Sequence, residues 1–168
     1  MSAKVLQLLE GRIDREKIKI YLEGEVEEFD FLVSHMQKSE KPSSWRAAWV
    51  VHHIMKKNDS RLQKDLHQII KNISDKDDGH QRELLKIVRK MKLSEKDEGY
   101  FFDVCVNLWE EVHKKPATRY YAGLFIIEMS KKYPDIKNEL KHLTTEYYTQ
   151  TLSTGIKRIF DRELSKIN

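Results

Sequence analysis

Apolar residues recur along this chain every three or four positions, the spacing of one face of an α-helix. The pattern predicts helices over 3–9 and 15–22, followed by an amphipathic helix over 25–38. The apolar positions of this third helix are Val26, Phe29, Val33 and Met36. The polar segment 39–44, which holds Pro42, ends that helix and starts the next one.

From residue 42 onward, the helical pattern repeats. Arg46, Arg82 and Arg119 each lie near the start of a predicted helix, and they stand 36 and then 37 residues apart. The partner helices support the same period, because Leu62, Leu66 and Ile69 correspond after 74 residues to Ile136, Leu140 and Leu143. A longer helix is predicted over 96–114 and a last one over 154–167. A period of two helices and two turns is typical of an α-solenoid.

The start of the third repeat carries a family resemblance. Pro116, Arg119 and Ala122 follow the order proline, arginine, alanine that is common in the first helix of HEAT-type repeats, and Pro42 with Arg46 matches it more loosely. The stretch 115–164 resembles a group of small bacterial HEAT-like proteins of unassigned function. The resemblance implies an all-α fold, an α-α superhelix of HEAT-like helical hairpins with about 9–10 helices and an open concave face. We expect a single domain over 1–168, with N-terminal helices in 1–40, repeats in 42–150 and a capping helix in 153–167.

Composition agrees with helices and limits the function classes. The chain has only 6 Gly and 3 Pro, too few for the frequent turns of a sandwich or barrel. The 31 basic and 27 acidic residues leave a net charge of +4, which permits nucleic-acid binding without implying it. The sequence lacks a signal-like N-terminus and any apolar stretch long enough to span a bilayer, so we expect a cytoplasmic protein without membrane contact.

The sequence carries no catalytic or metal-binding motif. A glycine-rich phosphate loop, a nucleophile elbow and an H-E-x-x-H helix are all missing. His52 and His53 are adjacent and diverge on a helix, so they do not form a chelating pair. Cys105 lies in an apolar run and is expected to be buried. We therefore expect no cofactor and no metal, and a non-catalytic protein is favoured over an enzyme.

The candidate binding residues are basic or aromatic. Arginines at equal depth in successive repeats could hold phosphates or carboxylates, or could instead bridge the repeats. The basic run that begins at Arg82 could bind an anionic partner or could be a solvated helix face, and Trp49 could grip a ligand or pack between repeats. The candidate partner- or anion-binding residues are Arg46, Trp49, Arg82, Lys86, Arg89 and Arg119.

These patterns favour two functions, and they also leave open an enzyme function unrelated to DNA and self-association through an exposed apolar strip. The first is an interaction scaffold that binds a protein partner through its concave face. The alternative is a nucleic-acid-binding protein resembling the HEAT-like DNA alkylation-repair proteins, which would require the basic residues to share one surface free of neutralising acids. The register further predicts that Leu140→Ala is costly to stability, whereas Lys86→Ala is near neutral.

Overall fold

The computed structural model of the protein describes residues 2–23 and 25–167, which form eleven α-helices and no strand. Short 3₁₀ turns at Ser60–Leu62 and Pro134–Ile136 precede the fifth and ninth helices. The helices are α1 Ser2–Leu8, α2 Arg15–Leu22, α3 Val26–Met36, α4 Ser43–Ile54, α5 Leu66–Asn72, α6 Asp78–Arg89, α7 Glu95–Glu110, α8 Pro116–Lys132, α9 Lys137–Leu143, α10 Glu146–Thr149 and α11 Thr154–Leu164.

Side chains in the sequence fix where several helices begin. Asp77 accepts a hydrogen bond from the backbone N–H of His80 (3.1 Å), and Ser94 accepts one from Asp97 (3.1 Å). Such N-caps satisfy donors that have no partner inside the helix. The eighth helix begins with Pro116 at its first position, where the missing N–H costs nothing.

The chain divides into two compact units, of which the N-terminal unit ends at Lys92 and the C-terminal unit begins at Leu93. In the N-terminal unit, α4 is central and packs against α2, α3 and α6. Its small residues Ala47 and Ala48 are completely buried, which allows close approach of the neighbouring helices. Helices α3 and α6 complete this core with Phe29, Leu32, Val33, Met36, Leu84, Leu85, Ile87 and Val88.

In the C-terminal unit, α8 packs against α7, α9 and α11. The buried rings of Trp109 and Phe160 stack with centroids 4.7 Å apart. Gly123 of α8 faces both rings, since a Cβ atom at this position would lie 2.7 Å from each of them. The three helices α7, α8 and α11 therefore meet at a glycine.

The predicted helices are confirmed, with differences at their ends. One more α-helix than the predicted 9–10 is found, because the single turn α10 forms between α9 and α11. The seventh helix ends at Glu110 and not at 114, because the next residue, Glu111, has a non-helical ψ of 80°. Val26, predicted on an apolar face, is 62% exposed. The single-domain organisation with boundaries at 40, 42 and 150 stays a prediction.

Candidate partner-binding surface on α4 and α6

Arg46 bridges two helices of the N-terminal unit. Its Nη1 group donates to the carbonyl oxygens of Leu9 (2.6 Å) and Gly11 (3.1 Å), which follow directly after α1. A cation is favourable there because the last carbonyls of a helix lack partners and carry partial negative charge. Most of the hydrogen-bonding capacity on Nη1 of Arg46 is thus used within the protein.

In the C-terminal unit, Arg119 likewise binds a carbonyl at the end of a helix, and it is completely buried. Its Nε donates to the carbonyl of Trp109 at the end of α7 (2.9 Å), and its Nη2 donates to the carbonyl of Tyr148 in α10 (2.6 Å). Its Nη1 donates to the hydroxyl of Thr151 at 2.7 Å. Because all three nitrogens have partners and the side chain is buried, Arg119 does not present its charge on the surface.

Arg82 has a different environment, although it lies at the same depth in its helix. Its Nε and Nη2 lie 3.0 Å and 2.9 Å from Oε1 of Glu83. Lys86, one turn later, places Nζ 3.1 Å and 3.3 Å from the two carboxylate oxygens of the same glutamate. Glu83 is completely buried, so it needs these cations to offset its desolvation. In return, the carboxylate fixes the positions of Arg82 and Lys86 on α6.

A third cation, directly after α6, reaches the end of α4. Lys90 donates from Nζ to the carbonyl of His52 at 2.7 Å, in the last turn of α4. Burial lowers the pKa of Lys90, and the positive charge of Lys86 lowers it further. Lys90 therefore caps α4, as Arg46 caps α1.

The imidazole of His52 lies between these charged groups. Its Nδ1 is 3.9 Å from Oε2 of Glu83. Burial lowers the pKa of His52 to about 3, and the nearby Lys90, His53 and Lys86 act in the same direction. His52 is therefore neutral at neutral pH and adds no charge to this cluster.

Aromatic rings continue this cluster along α4. The rings of His52 and His53 meet edge to face at 4.8 Å, and the ring of His53 lies 3.9 Å from that of Trp49. His53 Nδ1 is 2.7 Å from the carbonyl of Trp49, a contact in which Nδ1–H donates. We refer to the resulting set, Trp49, His52, His53, Arg82, Glu83 and Lys86, as the α4–α6 strip.

The structure thus separates the candidate residues predicted from the sequence. Trp49, Arg82 and Lys86 come together in the strip, whereas Arg46 and Arg119 bind backbone carbonyls elsewhere. Arg89 is half-buried on the same helix as Arg82. Sequence reasoning missed the central role of Glu83, although its position as the single acid within a basic run was a visible signal.

The net charge of the protein comes from one unit. The N-terminal unit has 19 basic and 15 acidic residues, whereas the C-terminal unit has 12 of each. The excess of +4 therefore belongs to the unit that contains the α4–α6 strip.

No group of three or more potential ligand side chains in residues 2–23 and 25–167 is placed to hold a metal ion. In the same part of the chain, no helix is long and apolar enough to cross a membrane.

The comparisons with known proteins give one match. A profile of the HEAT repeat domain matches residues 5–167, nearly the whole chain. No curated protein and no solved structure matches the chain. The helical hairpins and this match agree with the fold class of the α-α superhelix. The chain therefore belongs to the HEAT repeat family, and it is a helical repeat scaffold.

Proposed function

We propose that this scaffold is non-catalytic and binds a partner protein, and that an acidic segment of the partner docks on the α4–α6 strip. The observation that carries the proposal is the buried carboxylate of Glu83, which holds Arg82 and Lys86 and lies 3.9 Å from the ring of His52, the first of the contacting rings His52, His53 and Trp49. HEAT repeats often serve in protein interaction, which agrees with this function.

The strip has the two properties that a peptide-binding surface needs. Arg82 and Lys86 are held in place before binding, so the entropy cost of ordering them is already met. Trp49 is half-buried and His53 exposed, so they offer a rigid aromatic surface next to the charges. Tryptophan and arginine are the residues that most often dominate binding energy at protein interfaces.

Charge complementarity identifies the kind of segment. Arg82 and Lys86 bind the carboxylate of Glu83, Lys90 binds the nearby carbonyl of His52, and the His52 ring is neutral, so basic groups surround this part of the strip. Carboxylates of the partner would bind to the outer faces of Arg82 and Lys86, and an apolar side chain would lie on Trp49.

Nucleic-acid binding receives less support from the same residues. That function needs basic side chains with free charge on one surface. Arg119 is completely buried, and Arg82 and Lys86 share the carboxylate of Glu83. A short acidic segment fits so small a cationic surface better than a duplex backbone does.

The test uses a labelled peptide of alternating Glu and Leu, with an otherwise identical Lys and Leu peptide as the opposite-charge probe. Replacing Arg82 by Gln keeps a hydrogen-bond donor for Glu83 but removes the charge, and Trp49→Ala removes the aromatic contact. We expect the double variant to bind the acidic peptide about tenfold more weakly or worse in fluorescence anisotropy.

Arg162→Gln is the matched control, because Arg162 is an exposed arginine of α11 that also lies beside a glutamate, Glu163, at 3.6 Å. This variant should bind the acidic peptide as the unmodified protein does. Equal affinity of the Arg82→Gln, Trp49→Ala variant and the unmodified protein would rule out the strip as the docking surface.

A further inference from the structure

A cavity with a volume of about 540 Å³ lies in the N-terminal unit, between the α2–α3 connection and the segment 56–61 that follows α4. Leu22, Val26 and Ile54 form its apolar part. Val26 is 62% exposed although the helical pattern predicts it on a buried face, and its place in the cavity leaves it open to a ligand. The volume lies within the range of about 300–1,000 Å³ that small-molecule sites occupy.

The segment 56–61 is held in place by Asp59. The carboxylate of Asp59 accepts hydrogen bonds from the backbone N–H groups of Lys56 (3.1 Å) and Arg61 (3.2 Å), and from Nε (3.0 Å) and Nη2 (2.7 Å) of Arg61. The side-chain bonds from Arg61 are the main cause that lowers the pKa of Asp59 to about 2. Asp59 and Arg61 are therefore engaged with each other, and the segment is ordered before any ligand binds.

Asn58 ties the same segment to the residues that follow α6. Its backbone N–H donates to the carbonyl of Lys90 (2.8 Å), and its Oδ1 accepts a hydrogen bond from the backbone N–H of Lys92 (3.1 Å). Asn58 has a left-handed φ of 52°, a conformation that asparagine adopts more readily than most residues. The backbone next to Lys56 and Lys57 is therefore fixed at Asn58 as well as at Asp59.

The two walls of this cavity carry opposite charges. Lys56 and Lys57 line one wall, Glu23 and Glu25 line the other, and all four residues are exposed. Lys19 offsets one of the two glutamates, so the wall from α2 and α3 keeps one negative charge in excess. In the part of the chain that the structure describes, no ion pair joins the two walls. A ligand in the cavity therefore meets cations on one side, carboxylates on the other and an apolar surface between them.

We propose that this cavity binds a short zwitterionic peptide of apolar residues, with a dipeptide as the smallest such ligand. The free carboxylate of the ligand binds Lys56 and Lys57, and its ammonium group binds Glu23 and Glu25. The apolar side chains of the ligand lie on Val26 and its apolar neighbours. The site goes beyond the proposed function, since no residue of the α4–α6 strip lines this cavity.

The probe is the dipeptide Leu-Leu, compared with Leu-Leu amide, which lacks the carboxylate, and with N-acetyl Leu-Leu, which lacks the ammonium group. We expect the full-length protein to bind Leu-Leu at least about tenfold more tightly than either blocked form in isothermal titration calorimetry, because each blocked form leaves one charged wall without a partner. Failure of Leu-Leu to bind, or equal binding of the three probes, would overturn the proposal.

Two double variants test which wall binds which end of the ligand. Lys56→Gln with Lys57→Gln should abolish the preference for Leu-Leu over its amide and keep the preference over the N-acetyl form. Glu23→Gln with Glu25→Gln should do the reverse. A loss of affinity that is equal for all three probes, or preferences that stay unchanged, would contradict the assignment of the two walls. The Tm of both variants should stay close to that of the unmodified protein, because the four residues are exposed.

Lys71→Gln is the matched control, because Lys71 is an exposed lysine of α5 in the same unit and does not line the cavity. This variant should bind all three probes as the unmodified protein does. The Arg82→Gln, Trp49→Ala variant should also bind Leu-Leu with unchanged affinity, so this test and that of the proposed function succeed or fail independently.

Discussion

Gly123 is the residue at which α8 comes closest to its neighbours. A Cβ atom there would lie 2.7 Å from the rings of Trp109 and Phe160, which are themselves stacked against each other. We expect Gly123→Ala to lower the free energy of unfolding by about 1–3 kcal/mol, because the rings have to move apart. Urea unfolding measures this loss.

The control for Gly123 is Gly155→Ala, where the new methyl group has free space. That variant should be neutral or stabilised by up to about 1 kcal/mol. If the two variants had equal stability, the close contact at Gly123 would not exist in solution.

Lys86 is a residue for which the structure changes the expectation. The sequence favours a solvated lysine whose truncation is near neutral, but its side chain is only 17% exposed and binds both oxygens of the buried Glu83. Lys86→Ala should therefore cost about 1–3 kcal/mol, because it leaves a buried carboxylate poorly compensated.

Urea unfolding of Lys86→Ala should be compared with Lys17→Ala, an exposed lysine that also forms an i,i+3 pair, with Asp14. The Lys17 variant should stay within about 0.5 kcal/mol of the unmodified protein. An equally small effect at Lys86 would show that the ion pairs of Glu83 do not contribute to stability.

At the scale of helices, the packing of α3, α4 and α6 buries histidines. Burial is the main cause that lowers the pKa values of His35, His52 and His80 below their ordinary 6.5. The unfolded chain takes up protons near pH 6.5 and the folded chain does not, so stability is lost as pH falls below that value. For His52 the window extends down to its folded pKa of about 3.

We therefore expect the unfolding free energy to fall between pH 7 and about pH 5, with each histidine contributing at most about 1.4 kcal/mol per pH unit. His52→Gln should reduce this slope, and urea unfolding at both pH values measures it. The groups facing His52 are Glu83 and Lys86 of α6, Lys90 directly after α6, and His53 of its own helix. A slope that survived His52→Gln intact would contradict the burial of His52.

Helix α9 provides the test of the repeat register. Leu140 is buried in it, as the 74-residue correspondence with Leu66 predicts. Leu140→Ala should cost about 2–5 kcal/mol, with the lower end expected because Leu140 also lines an open cavity. Thermal unfolding measures the loss, and an unchanged Tm would contradict the register.

At the scale of the whole molecule, the distribution of charge bears on whether the protein binds nucleic acid. The excess positive charge lies in the N-terminal unit, and its cationic strip is built around a carboxylate. We expect binding to a mixed-sequence DNA duplex to be weak at low salt and absent at physiological salt, whereas the Glu and Leu peptide keeps measurable affinity. Duplex binding that persisted at physiological salt and fell on Arg82→Gln would instead establish the nucleic-acid alternative.

The sequence predicted those features that depend on residues close together along the chain. The helices, their period and the HEAT resemblance follow from local spacing, because residues three and four apart share a helix face whatever surrounds them. The buried positions Phe29, Met36 and Leu140 were found in this way. The aromatic and basic members of the strip, Trp49 and Arg82, were also visible as candidates.

The sequence by itself determined that this chain is built of helices of the HEAT type. Only the tertiary structure decided what each repeated arginine does. Arg46, Arg82 and Arg119 lie at about the same depth in their helices, yet two bind the ends of neighbouring helices and one binds Glu83. Their partners come from residues distant in sequence, or from a neighbour whose burial depends on distant helices. Helical periodicity is a local property, whereas the partner and burial of a charge are set by packing.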